Sequence, residues 1–187
     1  MPVVDLFRFM NDFTSKDLVG TRSKEIATAY PEAGHAILAL VNGLTGIEVT
    51  IVPGEGTLGH YLHPRVHGYE TQGSRERRRL ARDCILVCYA GMHAQRLFDP
   101  DADESHGAID ENNAFNLSRD FGVLPRYCSY VGDSHHLQYL HRLRKEAGRL
   151  VRQNQAPIRA LAEALLESKI LSGEEIRERV AKWFPKD

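Results

Sequence analysis

A glutamate and a histidine three residues apart are the side chains of this sequence best placed to do chemistry together. Glu32 and His35 stand in the segment A-Y-P-E-A-G-H-A at residues 29–36. On a helix, residues three apart lie on the same face, so a carboxylate and an imidazole would be neighbours. The segment resembles H-E-x-x-H, in which two histidines bind zinc and the glutamate acts on a metal-bound water, with Pro31 in place of the first histidine. Glutamate and histidine at this spacing also occur as a solvent-facing pair, so the segment alone does not define a site.

The helix that carries this pair is predicted over residues 24–41, after a polar connector at 15–20 and a helix cap at Ser23. Its apolar residues recur at spacings of three and four. They are Ile26, Ala33, Ala36, Ile37, Leu40 and Val41. Pro31 lacks an N–H and crowds the carbonyl of Ala27, so we expect the helix to kink or restart there.

The rest of the chain predicts a mainly α fold with one small β-hairpin or sheet beside that helix. Alternating residues at 47–52, a turn at 53–56 and a second run at 57–62 indicate two strands. Helices are predicted at about 74–98, at about 108–121, from Asp133 or Ser134 to about 154, and from a start near Pro157. A capping box at 172–175 begins the last helix. No internal repeat or linker marks a second folded unit.

Composition predicts a soluble, cytoplasmic globular protein. The chain has 187 residues, 42% of them hydrophobic and 26% charged, with a net charge of -1. Its apolar runs are far shorter than the roughly 20 residues that cross a bilayer, and its N-terminus has no secretory signal pattern. Three cysteines fit reduced thiols better than a disulfide framework. The basic runs at 75–82 and 142–152 are expected to be solvated helix faces or subunit contacts, and no nucleic-acid partner is expected.

Four blocks of the sequence occur in the same order in the peptidase domain of the FtsH family of ATP-dependent zinc metalloproteases, which this chain resembles over nearly its whole length. The blocks read A-Y-P-E-A-G-H-A at 29–36, V-T-I-V-P-G-E-G-T-L-G at 49–59, A-G-M-H-A-Q-R at 90–96 and H-G-A-I-D-E-N-N-A-F-N-L-S-R at 106–119. Residues 159–167 and 171–176 also resemble the family's closing helices. The resemblance implies an FtsH-peptidase-like helical domain at 23–187, preceded by an N-terminal extension at 1–22.

The resemblance also implies a role for individual residues. Glu32 occupies the catalytic base position, His35 and Asp110 occupy two zinc-ligand positions, and Pro31 stands at the position of the missing ligand. Proline offers no donor atom, whereas a catalytic zinc normally has three protein ligands. We therefore expect no zinc or weakly bound zinc, and a degenerate, non-proteolytic domain. Gln95 in place of an acidic residue and Phe115 in place of a threonine are further departures from the family pattern.

Other histidines leave an active enzyme open as an alternative. His60, His63, His67 and His106 lie near the predicted strands or near Asp110. They are either polar loop residues or a source of a substitute ligand. In the second case the chain would be a zinc metalloendopeptidase that uses His35, Asp110 and that ligand, with Glu32 as general base. A third hypothesis is a purely structural domain that forms homo-oligomers.

The expected partner is a polypeptide. The sequence contains no G-x-x-x-x-G-K-[ST] loop, so any ATPase that serves this domain would be a separate chain. The strand edge near 49–52 is a candidate for adding an extended peptide through backbone hydrogen bonds, which needs no metal.

Overall fold

A computed structural model describes residues 15–53, 60–62, 74–101, 107–120 and 133–184 of the chain. Its elements, in order, are α1 (Ser15–Val41), β1 (Glu48–Thr50), β2 (His60–Leu62), α2 (Ser74–Phe98), α3 (Ala108–Asp120), α4 (Ser134–Gln153), α5 (Gln155–Ser168), β3 (Ile170–Leu171) and α6 (Gly173–Val180). The predicted fold class, mainly helical with one small sheet, is confirmed. None of the helices in these ranges is long and apolar enough to span a membrane.

Helix α1 is longer than the sequence predicts and is not interrupted at Pro31. It begins at Ser15, so the predicted connector at 15–20 is wrong, as is a restart at the proline. Ala29 and Ala33, on either side of Pro31, are completely buried, and α1 packs against both α2 and α5. Tertiary packing on several faces thus offsets the hydrogen bond that proline removes. The helix crosses the proposed boundary between 1–22 and 23–187, which stays a prediction because residues 1–14 lie outside the described ranges.

Small residues let α1 and α2 approach closely. A Cβ atom at Gly34 of α1 would lie 2.5 Å from the Cβ of Ala94 in α2, so no larger residue fits there. Ala90 and Ala94 are fully buried at the same contact. This close approach brings the next residue of α1, His35, against the backbone of α2.

The sheet has three strands in the order β2-β1-β3, both pairs antiparallel. Val49 of β1 lies opposite Tyr61 on one side and Leu171 on the other. The prediction that β1 offers an open edge is therefore wrong, since β1 is the central strand among the described residues, between β2 and β3. Strand β3 was not predicted, because two residues are too few to show the alternation of apolar and polar side chains that indicates a strand.

Two predicted helix caps are confirmed. The Asp133 side chain accepts a hydrogen bond from the backbone N–H of His136 at 2.7 Å and begins α4. Ser172 and Glu175 form the predicted capping box at the start of α6. Both caps satisfy backbone donors that would otherwise have no partner at a helix start.

Candidate functional site

His35 contacts α2 and α3 through its two ring nitrogens. Its Nδ1 lies 2.7 Å from the carbonyl oxygen of Val87 in α2. Its Nε2 lies 3.3 Å from Oδ2 of Asp110 in α3, and the imidazole side chain is 10% exposed. The structure therefore brings together two of the predicted site residues, which come from helices far apart in sequence.

The partners of His35 determine its protonation in this arrangement. A carbonyl oxygen can only accept, so Nδ1 carries a proton, and a carboxylate beside Nε2 favours a second proton there. Burial lowers the pKa of His35, but the charge of Asp110, its hydrogen bond, the charge of Glu32 and the Val87 carbonyl outweigh burial and raise it to about 9. His35 and Asp110 thus form a buried imidazolium–carboxylate pair at neutral pH.

Gly91 makes room for the His35 ring. A Cβ atom at Gly91 would overlap the imidazole Nε2 and Cε1. Gly91 lies one helical turn after Val87, so the same stretch of α2 provides both the carbonyl acceptor and the space for the ring. A backbone carbonyl and the absence of a side chain leave no recognisable pattern in the sequence, so Val87 was not predicted as a site residue.

Asp110 lies in the first turn of α3, and contacts with α4 hold that helix. Glu111 Oε1 is 2.7 Å from Nη1 of Arg144 in α4. At the other end of α3, Ser118 Oγ is 2.7 Å from Nε2 of His136, and both side chains are fully buried. Polar contacts with α4 therefore lie near both ends of α3, and one of them is made by the residue next to Asp110.

The Ser118–His136 contact has the geometry of a structural bridge. The Ser118 hydroxyl donates to the carbonyl of Phe115 at 2.7 Å, so its oxygen accepts from the His136 Nε2–H. Burial lowers the pKa of His136, which favours the neutral ring. With its proton directed at a backbone carbonyl and its oxygen buried, Ser118 is not arranged as a nucleophile.

Glu32 faces the same site without a hydrogen bond for one of its oxygens. Its Oε2 is buried and has no hydrogen-bond partner among the described residues. Burial raises the pKa of Glu32 to about 7, His35 opposes this rise and Asp110 adds to it. The carboxyl group is therefore near half-protonated at neutral pH and electrostatically coupled to the other two residues.

The described residues supply part of a zinc site. Two ligand atoms on one tetrahedral zinc, with bonds of about 2.0 Å, lie roughly 3.3 Å apart, and His35 Nε2 and Asp110 Oδ2 have that separation. One turn before His35, however, stands Pro31, which has no donor. Within the described ranges, no three His, Cys, Asp or Glu side chains are grouped to hold a metal ion. His35 and Asp110 thus supply two of the three protein ligands that a catalytic zinc normally has.

The candidate substitute ligands are placed as follows. His63, His67 and His106 lie outside the described residues, and His60 is described in its backbone only. Burial raises the pKa of the Cys88 thiol in α2, and the nearby charge of Asp110 raises it further. Because cysteine binds zinc as the thiolate, this raised pKa disfavours Cys88 as a ligand. Cys84 is buried and Cys88 is partly buried.

The two further departures from the family pattern lie on α2 and α3. Gln95 is 5% exposed. The Phe115 ring packs on His136, with ring centres 5.2 Å apart. Phe115 therefore adds bulk at the α3–α4 contact, five residues after Asp110 in the same helix.

Comparison with known proteins supports a distant relationship to FtsH. No protein-family model matches the chain. The chain is 27% identical over 188 residues to the ATP-dependent zinc metalloprotease FtsH of Neorickettsia risticii (strain Illinois). That alignment covers 87% of this chain and 29% of the relative, so the chain spans less than a third of that protein's length. The similarity supports a metallopeptidase-like domain.

Proposed function

We propose that this chain is a non-proteolytic, metallopeptidase-like domain in which the His35–Asp110 ion pair stands where the family binds zinc. It acts by binding a polypeptide or by assembling with other protein chains, and any ATPase is a separate chain. Pro31 supports this proposal most directly. It removes a donor from the one helical position that would complete a three-ligand site with His35 and Asp110.

The ion pair explains how the fold can persist without metal. A zinc ion would connect α1 and α3 through His35 and Asp110; here an ion pair between the same two side chains connects them directly. Glu32 in such a site has no metal-bound water of lowered pKa to activate. What remains is a helical scaffold whose surfaces can recognise other chains.

An active zinc peptidase is the competing function, favoured by the 3.3 Å separation of His35 Nε2 and Asp110 Oδ2. Elemental analysis of protein purified without chelator distinguishes the two. We expect far less than one zinc per chain in the natural protein, and one zinc per chain in Pro31→His. Pro31→Ala is the matched control, since it removes the proline without adding a ligand and should bind no more zinc than the natural protein.

The outcome that contradicts this proposal is equally specific. Stoichiometric zinc in the natural protein, lost in Asp110→Ala and accompanied by cleavage of an unfolded polypeptide that Glu32→Gln abolishes, would establish an active peptidase with a substitute ligand. Zinc in Pro31→His that survives Asp110→Ala would show that the new histidine binds metal elsewhere, and would remove the support for His35 and Asp110 as a remnant zinc pair.

A further inference from the structure

A cleft lies on the molecule where the end of α1 meets the first half of α2. It encloses about 500 Å³ and is lined by Val41, Asn42, Gly43, Arg79, Arg82 and Asp83. None of these residues belongs to the His35–Asp110 site. The cleft is therefore a second place at which the domain could hold a ligand.

The two arginines of the cleft differ in how firmly they are held. Arg82 donates to Asp83 at 3.1 Å and to Glu146 of α4 at 2.6 Å, so its guanidinium is fixed in place. Arg79 has an 81% exposed side chain, and its Nε is 3.8 Å from Asp83 Oδ2, which is too long for a hydrogen bond. A planar guanidinium with N–H groups directed to solvent is suited to bidentate binding of an oxyanion.

The remaining lining provides acceptors and an apolar contact. Asn42 donates through Nδ2 to the carbonyl of Leu38 at 2.8 Å, which leaves its Oδ1 to accept a hydrogen bond. Val41 is 36% exposed at the edge of the cleft. A ligand that matches these groups carries an oxyanion, an N–H donor and an aliphatic portion.

We propose that this cleft binds a carboxylate-bearing peptide segment. Arg79 holds the carboxylate, Asn42 accepts a peptide N–H, and Val41 contacts an aliphatic side chain, while Arg82 stays paired with Asp83 and Glu146. A phosphate group would use neither the acceptor nor the apolar contact. This site lies apart from the zinc-site residues but rests on the function proposed above, because it specifies the polypeptide binding named there. The zinc measurements test that function and the peptide measurements test the cleft, so the two can fail separately.

The surrounding charge favours an acidic segment. Arg75 and Arg79 are four residues apart, as are Arg78 and Arg82, so these arginines lie on one side of α2. Arg75 and Arg78 are exposed. A positive face that leads into the cleft attracts acidic chains and increases their association rate.

Fluorescence anisotropy with a short labelled peptide of alternating glutamate and leucine tests the proposal. We expect binding of this peptide and none of the matched peptide with glutamine at every glutamate position. Arg79→Gln is expected to weaken binding by about fivefold, which corresponds to the loss of one exposed charge-assisted contact. Arg78→Gln is the matched control, since it removes the same charge from the adjacent exposed position outside the cleft and should change affinity by less than about twofold.

Four results would overturn the proposal. Equal binding of the glutamine peptide would show that no carboxylate is recognised. Equal weakening by Arg78→Gln and Arg79→Gln would indicate diffuse attraction rather than a cleft. Displacement of the peptide by inorganic phosphate at constant ionic strength would identify a general anion site, and absence of binding at millimolar peptide would leave the cleft without this function.

Discussion

At the scale of single residues, the surroundings of His35 determine what each of its two ring nitrogens can do. His35 retains a carbonyl partner on Nδ1 and a carboxylate beside Nε2. Metal-binding histidines characteristically donate one ring N–H to a backbone carbonyl or a carboxylate while the other nitrogen binds the ion. In this structure the second nitrogen of His35 lies beside the carboxyl group of Asp110.

Glu32→Gln is expected to stabilise the protein at about pH 8 and to have little effect at about pH 4.5. The pKa of Glu32 rises from 4.5 to about 7 on folding. The folded state therefore binds more protons than the unfolded state in that window, and stability falls as pH rises through it. Glutamine has no charge to bury, so we expect a gain of about 1 to 3 kcal/mol above pH 7.

Urea unfolding of the natural protein and Glu32→Gln across this pH range measures the effect. Glu163→Gln, on the exposed surface of α5, is the matched control and should show no comparable pH-dependent gain. Parallel stability curves for the natural protein and Glu32→Gln would contradict a buried Glu32 with a raised pKa.

At the scale of elements, α1 is stabilised by packing against α2 and α5 more than by the helix propensity of its own residues. Pro31 removes a backbone hydrogen bond in the middle of a 27-residue helix. Pro31→Ala restores an N–H for the carbonyl of Ala27, so we expect an increase in unfolding free energy of about 1 to 3 kcal/mol, reduced in part by greater freedom of the unfolded chain. Thermal unfolding measured by circular dichroism checks this.

The matched control for that prediction is Pro157→Ala. Pro157 lies in the first turn of α5, where backbone N–H groups have no helical acceptor, so its replacement should give no such gain. A destabilised Pro31→Ala would show that the proline ring contributes packing that exceeds the lost hydrogen bond.

The contact between α1 and α2 depends on Gly91. Gly91→Ala places a methyl group in the volume of the His35 ring, and we expect a loss of about 2 to 4 kcal/mol from the resulting overpacking. Urea unfolding of Gly91→Ala in the natural and His35→Ala backgrounds measures the coupling. In His35→Ala the space is free, so the added methyl should cost much less. Equal costs in both backgrounds would show that the ring does not occupy this space.

The helices were predictable from sequence and the close contacts were not. The positions of α2, α4 and α6 were predicted correctly because their signals are local. These signals are the apolar spacing in α2, the Asp133 cap of α4 and the Ser172–Glu175 capping box of α6. The start of α1 at Ser15 was missed, and so was the strand β3, whose pairing partner β1 is distant in sequence. The pairing of His35 with Asp110 followed from the family resemblance alone. The contacts of His35 with Val87 and Gly91, and the burial of Glu32, required the structure.

At the scale of the whole molecule, residues 169–184 pack against β1 and α1. Lys169 accepts a backbone hydrogen bond from Ile51 at 2.9 Å, and its side chain pairs with Glu25 of α1 at 2.7 Å. Leu171 pairs with Val49 in the sheet. Leu171, Ile176 and Val180 are no more than 1% exposed. Residues 169–184 are thus part of the same core as α1, and the domain should unfold as one cooperative unit.

Truncation after Ser168 tests this cooperativity. It removes three buried aliphatic side chains, of which Leu171 and Ile176 alone would each cost about 2 to 5 kcal/mol as alanine, and it exposes one edge of β1. We therefore expect loss of the sharp thermal transition in calorimetry and rapid hydrogen exchange at Val49 and Ile51. Truncation after Phe184 is the control and should keep the transition. A sharp transition in the shorter chain would show that α1, α2 and α5 form a self-sufficient core, and that β3 and α6 are an independently stable addition to it.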